Sequence, residues 1–243
     1  MNVRLELKFD GTNYHGWQLQ PGRPTVQGML TEAVYEVTGE RVTIHGCGRT
    51  DSGVHASSYT ASFKTDTSVP ITRLPYALNA NLPDDIRCIS AASADDDFSA
   101  GRSAKGKTYR YTIDNNEFED VFLLRFAWHV KYPLDVGAMS RAASYFEGTH
   151  DFVGFASSGY SVKTTVRTIH SLSVSTDGNI ITIDITGNGF LYNMVRIISG
   201  TLVYVGSGRI DEKDIPGIIA SRQRAMAGIT APAKGLCLKE VFY

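Results

Sequence analysis

The sequence predicts an α+β fold in two halves, 1–103 and 104–243, each ferredoxin-like (RRM-like) with the order β-α-β-β-α-β. Three observations predict it. Apolar residues alternate at period two at the start, they recur at three- and four-residue spacing in the next segment, and an Asp177-Gly178 pair is flanked by alternating runs. Val3, Leu5, Leu7 and Phe9 alternate with Arg4, Glu6 and Lys8, the period of a half-buried strand that Asp10-Gly11 ends. Thr25 caps a helix whose apolar positions are Val26, Met29, Leu30, Ala33, Val34 and Val37, and Gly39 stops it. Strands over 42–46 and 57–64, a helix near 72–79 and a strand near 86–91 complete the first half.

The second half opens with a strand over Tyr109-Arg110-Tyr111-Thr112-Ile113 and an edge strand at 126–131. Asp135 caps a helix to about 146. The runs near 168–175 and 180–186 form an antiparallel hairpin about Asp177-Gly178. Leu191, Val195, Ile198, Leu202 and Val205 share one helical face, a helix follows at 211–221, and Leu236, Leu238 and Val241 mark a last strand. No Gly/Ser-rich linker separates the halves, so a continuous sheet or a tight interface is expected.

Composition narrows the function. The 243 residues are 42% hydrophobic and 20% charged, as in ordinary globular chains, and no apolar run is long enough to span a membrane. Three widely spaced cysteines without a CxxC are expected to be reduced thiols in the cytoplasm. No HExxH, Walker loop or strand-following GxGxxG is present, so neither metal nor organic cofactor is expected. The net charge of −1 offers no global footprint for nucleic acid. Locally, Arg102, Lys105, Lys107 and Arg110 alternate with Tyr109 and Tyr111, which puts phosphate-pairing cations and stacking rings in one segment. Lys163, Arg167, Arg222 and Arg224 add positive charge later in the chain.

The candidate for chemistry is Asp51, set between Arg49 and His55 in Gly48-Arg49-Thr50-Asp51-Ser52-Gly53-Val54-His55-Ala56. Flanking glycines let such a loop present a carboxylate into a cleft, and a neighbouring cation favours its ionised, nucleophilic form. A plain Asx-turn between strands is the competing reading. No second acid sits in a comparable loop, so Asp51 stands chemically alone. In Gly187-Asn188-Gly189-Phe190-Leu191-Tyr192-Asn193-Met194-Val195-Arg196, glycines lead into a helix whose first turns carry polar groups, with Arg196 able to pair with a carboxylate or phosphate and Asn188 a possible cap. Tyr14 and Trp17 of the opening loop are equally suited to stacking on RNA bases and to plugging the core.

Taken in order, FDGTNYHGWQ, GRTDSGVHA, ALNANLPDDI, RSAKGKTYRYTI, GNGFLYNMVR and APAKGLCL form a set. With it the chain resembles the tRNA pseudouridine synthase A family, which isomerises uridines at positions 38 to 40 in the anticodon arm of tRNA. The resemblance implies the pseudouridine synthase fold, two ferredoxin-like halves in one continuous antiparallel sheet with a central cleft. It further implies a cofactor-free homodimer. Residue by residue, it makes Asp51 the catalytic aspartate, Arg196 its partner and Tyr109 the ring that stacks on the uracil. Arg49, His55, Arg102, Lys105, Lys107, Arg110 and Arg167 become candidate RNA contacts. Isomerisation breaks N1–C1′ and joins C5 to C1′. Attack of one carboxylate at C1′, its addition to C6, or deprotonation at C2′ are all open routes. Ser52 stands where many bacterial members carry alanine, and segment 156–166 follows the family only loosely. Two rivals from other classes are a non-catalytic RRM-like module with Tyr109 and Tyr111 as its platform, and a hydrolase that uses Asp51 on a glycosidic bond.

Overall fold

The structure, a computed structural model, describes residues 1–159 and 162–243; residues 160 and 161, inside the divergent segment 156–166, lie outside the described residues. The strands are β1 (Asn2–Phe9), β2 (His45–Gly46), β3 (His55–Lys64), β4 (Ile86–Ala94), β5 (Gly106–Asp114), β6 (Trp128–His129), β7 (Gly148–Asp151), β8 (Val166–Asp177), β9 (Ile180–Gly187) and β10 (Leu236–Phe242). The helices are α1 (Val26–Thr38), α2 (Leu74–Asn79), α3 (Val136–Ser144), α4 (Met194–Gly206) and α5 (Ile215–Ser221). The chain is α+β and divides into two compact units, Met1–Lys105 with Cys237–Tyr243, and Gly106–Leu236.

In the first unit β1 lies between β4 and β3, antiparallel to both, and its alternation sends Val3, Leu5, Leu7 and Phe9 into the core. Each such side chain, fully buried, contributes about 1.5–3 kcal/mol. Helix α1 starts where Thr25 accepts the Gly28 N–H on its side chain and stops where Gly39 turns left-handed at φ 72°. It buries Val26, Leu30, Ala33 and Val34, and α2 buries Leu74 and Leu78. The far edge of β3 is shared. Strand β2 pairs antiparallel at Ser62 and Ala61, and β10 pairs parallel at His55 and Ala56. The strand expected over 42–46 is only His45–Gly46 long. Ile44 instead turns into the core at 3% exposure, where its carbonyl accepts from Gln27 Nε2.

In the second unit the order is β5-β9-β8-β7, with β6 pairing parallel on β5 at Ile113 and Asp114. The β8–β9 hairpin turns at Asp177-Gly178 as expected, with Asp177 facing Ile180 and Gly178 at φ 56°. Asp135 caps α3 by accepting the Ala138 N–H, and α3 packs on β8 and α4. The edge strand expected at 126–131 contracts to Trp128–His129, because the chain before it is organised by a carboxylate, not a ladder. Asp114 accepts from Asn116 N, Asn116 Nδ2 and Asp120 N at 2.7–3.1 Å. Its burial acts to raise the pKa, but those hydrogen bonds outweigh it and hold the carboxyl below the ordinary range.

Candidate active site

The Asp51 loop spans the gap between β2 and β3. Its entry is tied down by Cys47 N–H donating to Thr60 O at 2.9 Å and by Tyr59 Oη donating to Gly48 O at 2.5 Å. The turn itself closes through the backbone, with Val54 N–H donating to Asp51 O at 3.2 Å and Gly53 at φ 78°. That is the position of a β-turn that demands a left-handed residue, which explains the glycine. Asp51 is half-buried and Arg49 exposed. Thr50 is 8% exposed, and among the described residues its Oγ1 is a buried side-chain atom without a hydrogen-bond partner.

The opening loop braces this turn from behind. Tyr14 O accepts from both Gly53 N and Ser52 Oγ at 3.2 Å, and Trp17 N donates to Thr50 O at 3.3 Å. Gly16 has no room for a side chain, since a Cβ there would stand 2.2 Å from Thr50 O. Tyr14 and Trp17 are 5% and 3% exposed, so their alternative roles resolve as core plugs. The Trp17 ring stacks on Tyr59 at 4.2 Å, and Tyr14 Oη donates to Asp85. Burial, then that bond to Asp85, raises the Tyr14 pKa. Asn13 Nδ2 donates to the other Asp85 oxygen at 3.1 Å, which gives the PDD motif a structural purpose: it clamps the opening loop.

His55 corrects the expectation of an RNA-side contact. It is 4% exposed, its Nδ1 accepts the Gly11 N–H at 3.0 Å, and the same nitrogen stands 3.1 Å from Asp10 Oδ1. It locks β3 to the opening loop from inside, where the sequence spacing alone could not distinguish an inward from an outward ring.

In the second unit, Tyr109 faces Ile185 across the β5–β9 pair and is 8% exposed, its ring meeting Phe190 edge-on at 5.4 Å. Tyr111 has no exposure; its Oη donates to Pro232 O at 2.8 Å, and burial raises its pKa against the pull of nearby Arg196. A stacking platform of both tyrosines, which the RRM-like alternative needs, is therefore not available. Arg196 sits in the first turn of α4. Its Nε donates to Ala231 O and its Nη1 to Asn193 Oδ1, both at 2.7 Å. Asn193 is left-handed at φ 61°, and its Nδ2 donates to Ser157 Oγ at 2.8 Å. The helix thus begins at Asn193. Asn188 is not its cap but bonds β8, accepting from Thr168 N at 3.0 Å. The Ser157–Asn193–Arg196 chain carried no sequence signal beyond the polar character of Asn193.

The remaining candidate cations divide by what they touch. Arg110 is held by Asp184, its cross-strand neighbour, through Nε and Nη2 at 2.8 and 2.7 Å, a forked pair that offsets its charge within the sheet. Arg167 folds back on Thr164 O and Val166 O, and burial lowers its pKa. Lys107 is half-buried, whereas Arg102 and Lys105 are exposed. Among the described residues no three His, Cys, Asp or Glu side chains group to hold a metal ion, and no helix is long and apolar enough to cross a membrane.

Comparison with known proteins places this α+β chain among the RNA-modifying isomerases of the pseudouridine synthase class. The tRNA pseudouridine synthase family sequence model matches residues 7–101 and 142–243, and the chain belongs to that family. It is 49% identical over 242 residues to tRNA pseudouridine synthase A of Thermoanaerobacter sp. (strain X514), covering 100% of this chain and 99% of that one. It is 52% identical over 242 residues to tRNA pseudouridine synthase A of Acetivibrio thermocellus, with the same coverage. Among solved structures, the archaeal box H/ACA sRNP Nop10–Cbf5 complex aligns at TM-score 0.39 and 12% identity, over 83% of this chain and 43% of that one. The activity is isomerisation of uridine to pseudouridine in tRNA.

Proposed function

We propose that this enzyme acts at positions 38 to 40 of the anticodon stem-loop, with Asp51 as nucleophile or base, Arg196 as the cation that orients it and Tyr109 as the ring against the uracil. The supporting observation is the Asp51 loop itself. Its backbone closes the turn and the opening loop braces it, so Asp51 is carried on a fixed loop. Arg196 supports the reading because Ala231 and Asn193 fix two of its donors and so set the plane of the guanidinium. The reaction breaks N1–C1′, turns the uracil, joins C5 to C1′, releases the C5 proton to solvent and leaves N1 to take up a proton. The target uridine leaves its stack to reach a loop carboxylate, at a cost of a few kcal/mol. The enzyme works in the cytoplasm as a homodimer without a cofactor.

The test is to incubate wild type and Asp51→Asn with unmodified tRNA carrying 5-tritiated uridine, then measure tritium release, pseudouridine and free base. Tritium release with pseudouridine at 38–40 by wild type, and none by Asp51→Asn, is expected. Full activity in the variant would remove Asp51 from the mechanism, and free uracil would point to a hydrolase.

A further inference from the structure

The first unit carries a groove of about 580 Å³ alongside the Asp51 loop, the size of a small-ligand pocket. Its floor is apolar and backbone-lined: Trp17, Ile44 and Gly46 contribute, and Gly101 lies so close that a Cβ on it would be 2.9 Å from Gly46 O. Gln27 is already committed, accepting from Leu19 N and donating to Ile44 O, so it serves as wall. The rim carries two arginines. Arg49, Arg102 and His45 line the groove, and no aspartate or glutamate does.

Neither exposed arginine forms an ion pair among the described residues. In a chain of net charge −1, two uncommitted guanidinium groups over an acid-free concavity concentrate positive potential where the rest of the sequence provides little. The contrasting case is the concavity of about 550 Å³ in the second unit, whose arginine, Arg222, is paired with Asp151 on its own rim.

We propose that the groove seats the phosphodiester backbone of the tRNA strand flanking the target uridine, with Arg49 and Arg102 each taking phosphate oxygens and the apolar floor receiving the adjoining sugar or base. Arg49 is two residues from Asp51, at most about 7 Å along the chain, so the bound phosphate belongs to a nucleotide next to or one removed from the one that reacts. The proposal rests on Asp51 as the reacting group. Arginine forks suit phosphate oxygens, and such contacts fix strand register without reading sequence.

The test is tRNA binding by full-length wild type, Arg102→Gln, Arg102→Lys and Arg73→Gln across a salt series, with pseudouridine formation measured in parallel. Arg73 is exposed and outside the groove, and serves as the charge-matched control. Arg102→Gln is expected to raise Kd about fivefold at moderate salt and to flatten the slope of log K against log salt by about 0.7–0.9. Arg102→Lys should keep the slope and lose part of the affinity, and Arg73→Gln should follow wild type. A wild-type slope in Arg102→Gln, or the same flattening in Arg73→Gln, would overturn the groove. Competition arms with inorganic phosphate and uridine 5′-monophosphate separate a strand site from a general anion site. Displacement of tRNA by inorganic phosphate beyond its ionic-strength effect, lost in Arg102→Gln, would overturn the strand assignment. An Arg102-dependent slope in a protein whose Asp51→Asn variant keeps full turnover would sink the Asp51 reading and leave the groove standing as an RNA site.

Discussion

Replacing Asn193 by glycine separates its backbone conformation from the bonds of its side chain. Its backbone holds a left-handed conformation, φ 61°, at the start of α4, and its side chain holds Arg196 Nη1 at 2.7 Å. Left-handed geometry costs an ordinary residue about 1–2 kcal/mol, less for asparagine and nothing for glycine, so the backbone gain in Asn193→Gly offsets part of the lost bonds to Arg196 and Ser157, and its Tm should stay above that of Asn193→Ala. A hydrogen bond to a charged group contributes about 1.5–3 kcal/mol. If most of that bond serves to aim Arg196 in the transition state, its loss lowers kcat about 10- to 100-fold, at roughly 1.4 kcal/mol per decade. Asn193→Ala should show the same fall in kcat with a lower Tm, because alanine bears the backbone cost without supplying the acceptor. Single-turnover tritium release gives the rate, filter binding the tRNA affinity and thermal denaturation the stability. Turnover in Asn193→Gly equal to wild type, or a rate loss in the two variants that tracks Tm, would refute the positioning role.

Thr50→Val is nearly isosteric and removes a buried hydroxyl that has no partner among the described residues; it should stabilise the free protein by about 1–2 kcal/mol in urea denaturation, and a loss of stability would mean that the hydroxyl is satisfied. Asp114→Asn sets an amide against N–H donors and should cost about 2 kcal/mol at neutral pH. Because the folded carboxyl titrates below its unfolded value, near 3.9, wild type should hold this advantage above about pH 4 and lose it as pH falls through the folded pKa. Denaturation midpoints at neutral and acid pH that differ by the same amount between the two proteins would contradict that linkage.

What was legible in the sequence was whatever is encoded within a few residues. The period-two run of β1, the Thr25 and Gly39 ends of α1, the Asp135 cap of α3 and the Asp177-Gly178 turn each depend on neighbouring side chains and backbone angles, and each is where local pattern places it. Asp51 was legible locally only as a loop carboxylate, for which a plain Asx-turn was the competing reading. Six spaced motifs supplied the family. Partners distant in sequence were decided only by packing. A pattern of alternation cannot tell that β2 is only two residues long, or that β10 returns to pair in parallel with the start of β3. Nor does it say which polar groups are spent. His55 faces the opening loop, Arg110 is matched by Asp184 across the sheet, and Arg196 is held by an asparagine in a left-handed backbone conformation. Each of those bonds joins groups whose meeting depends on tertiary packing, so composition and periodicity named the chemical groups while the folded chain selected their partners.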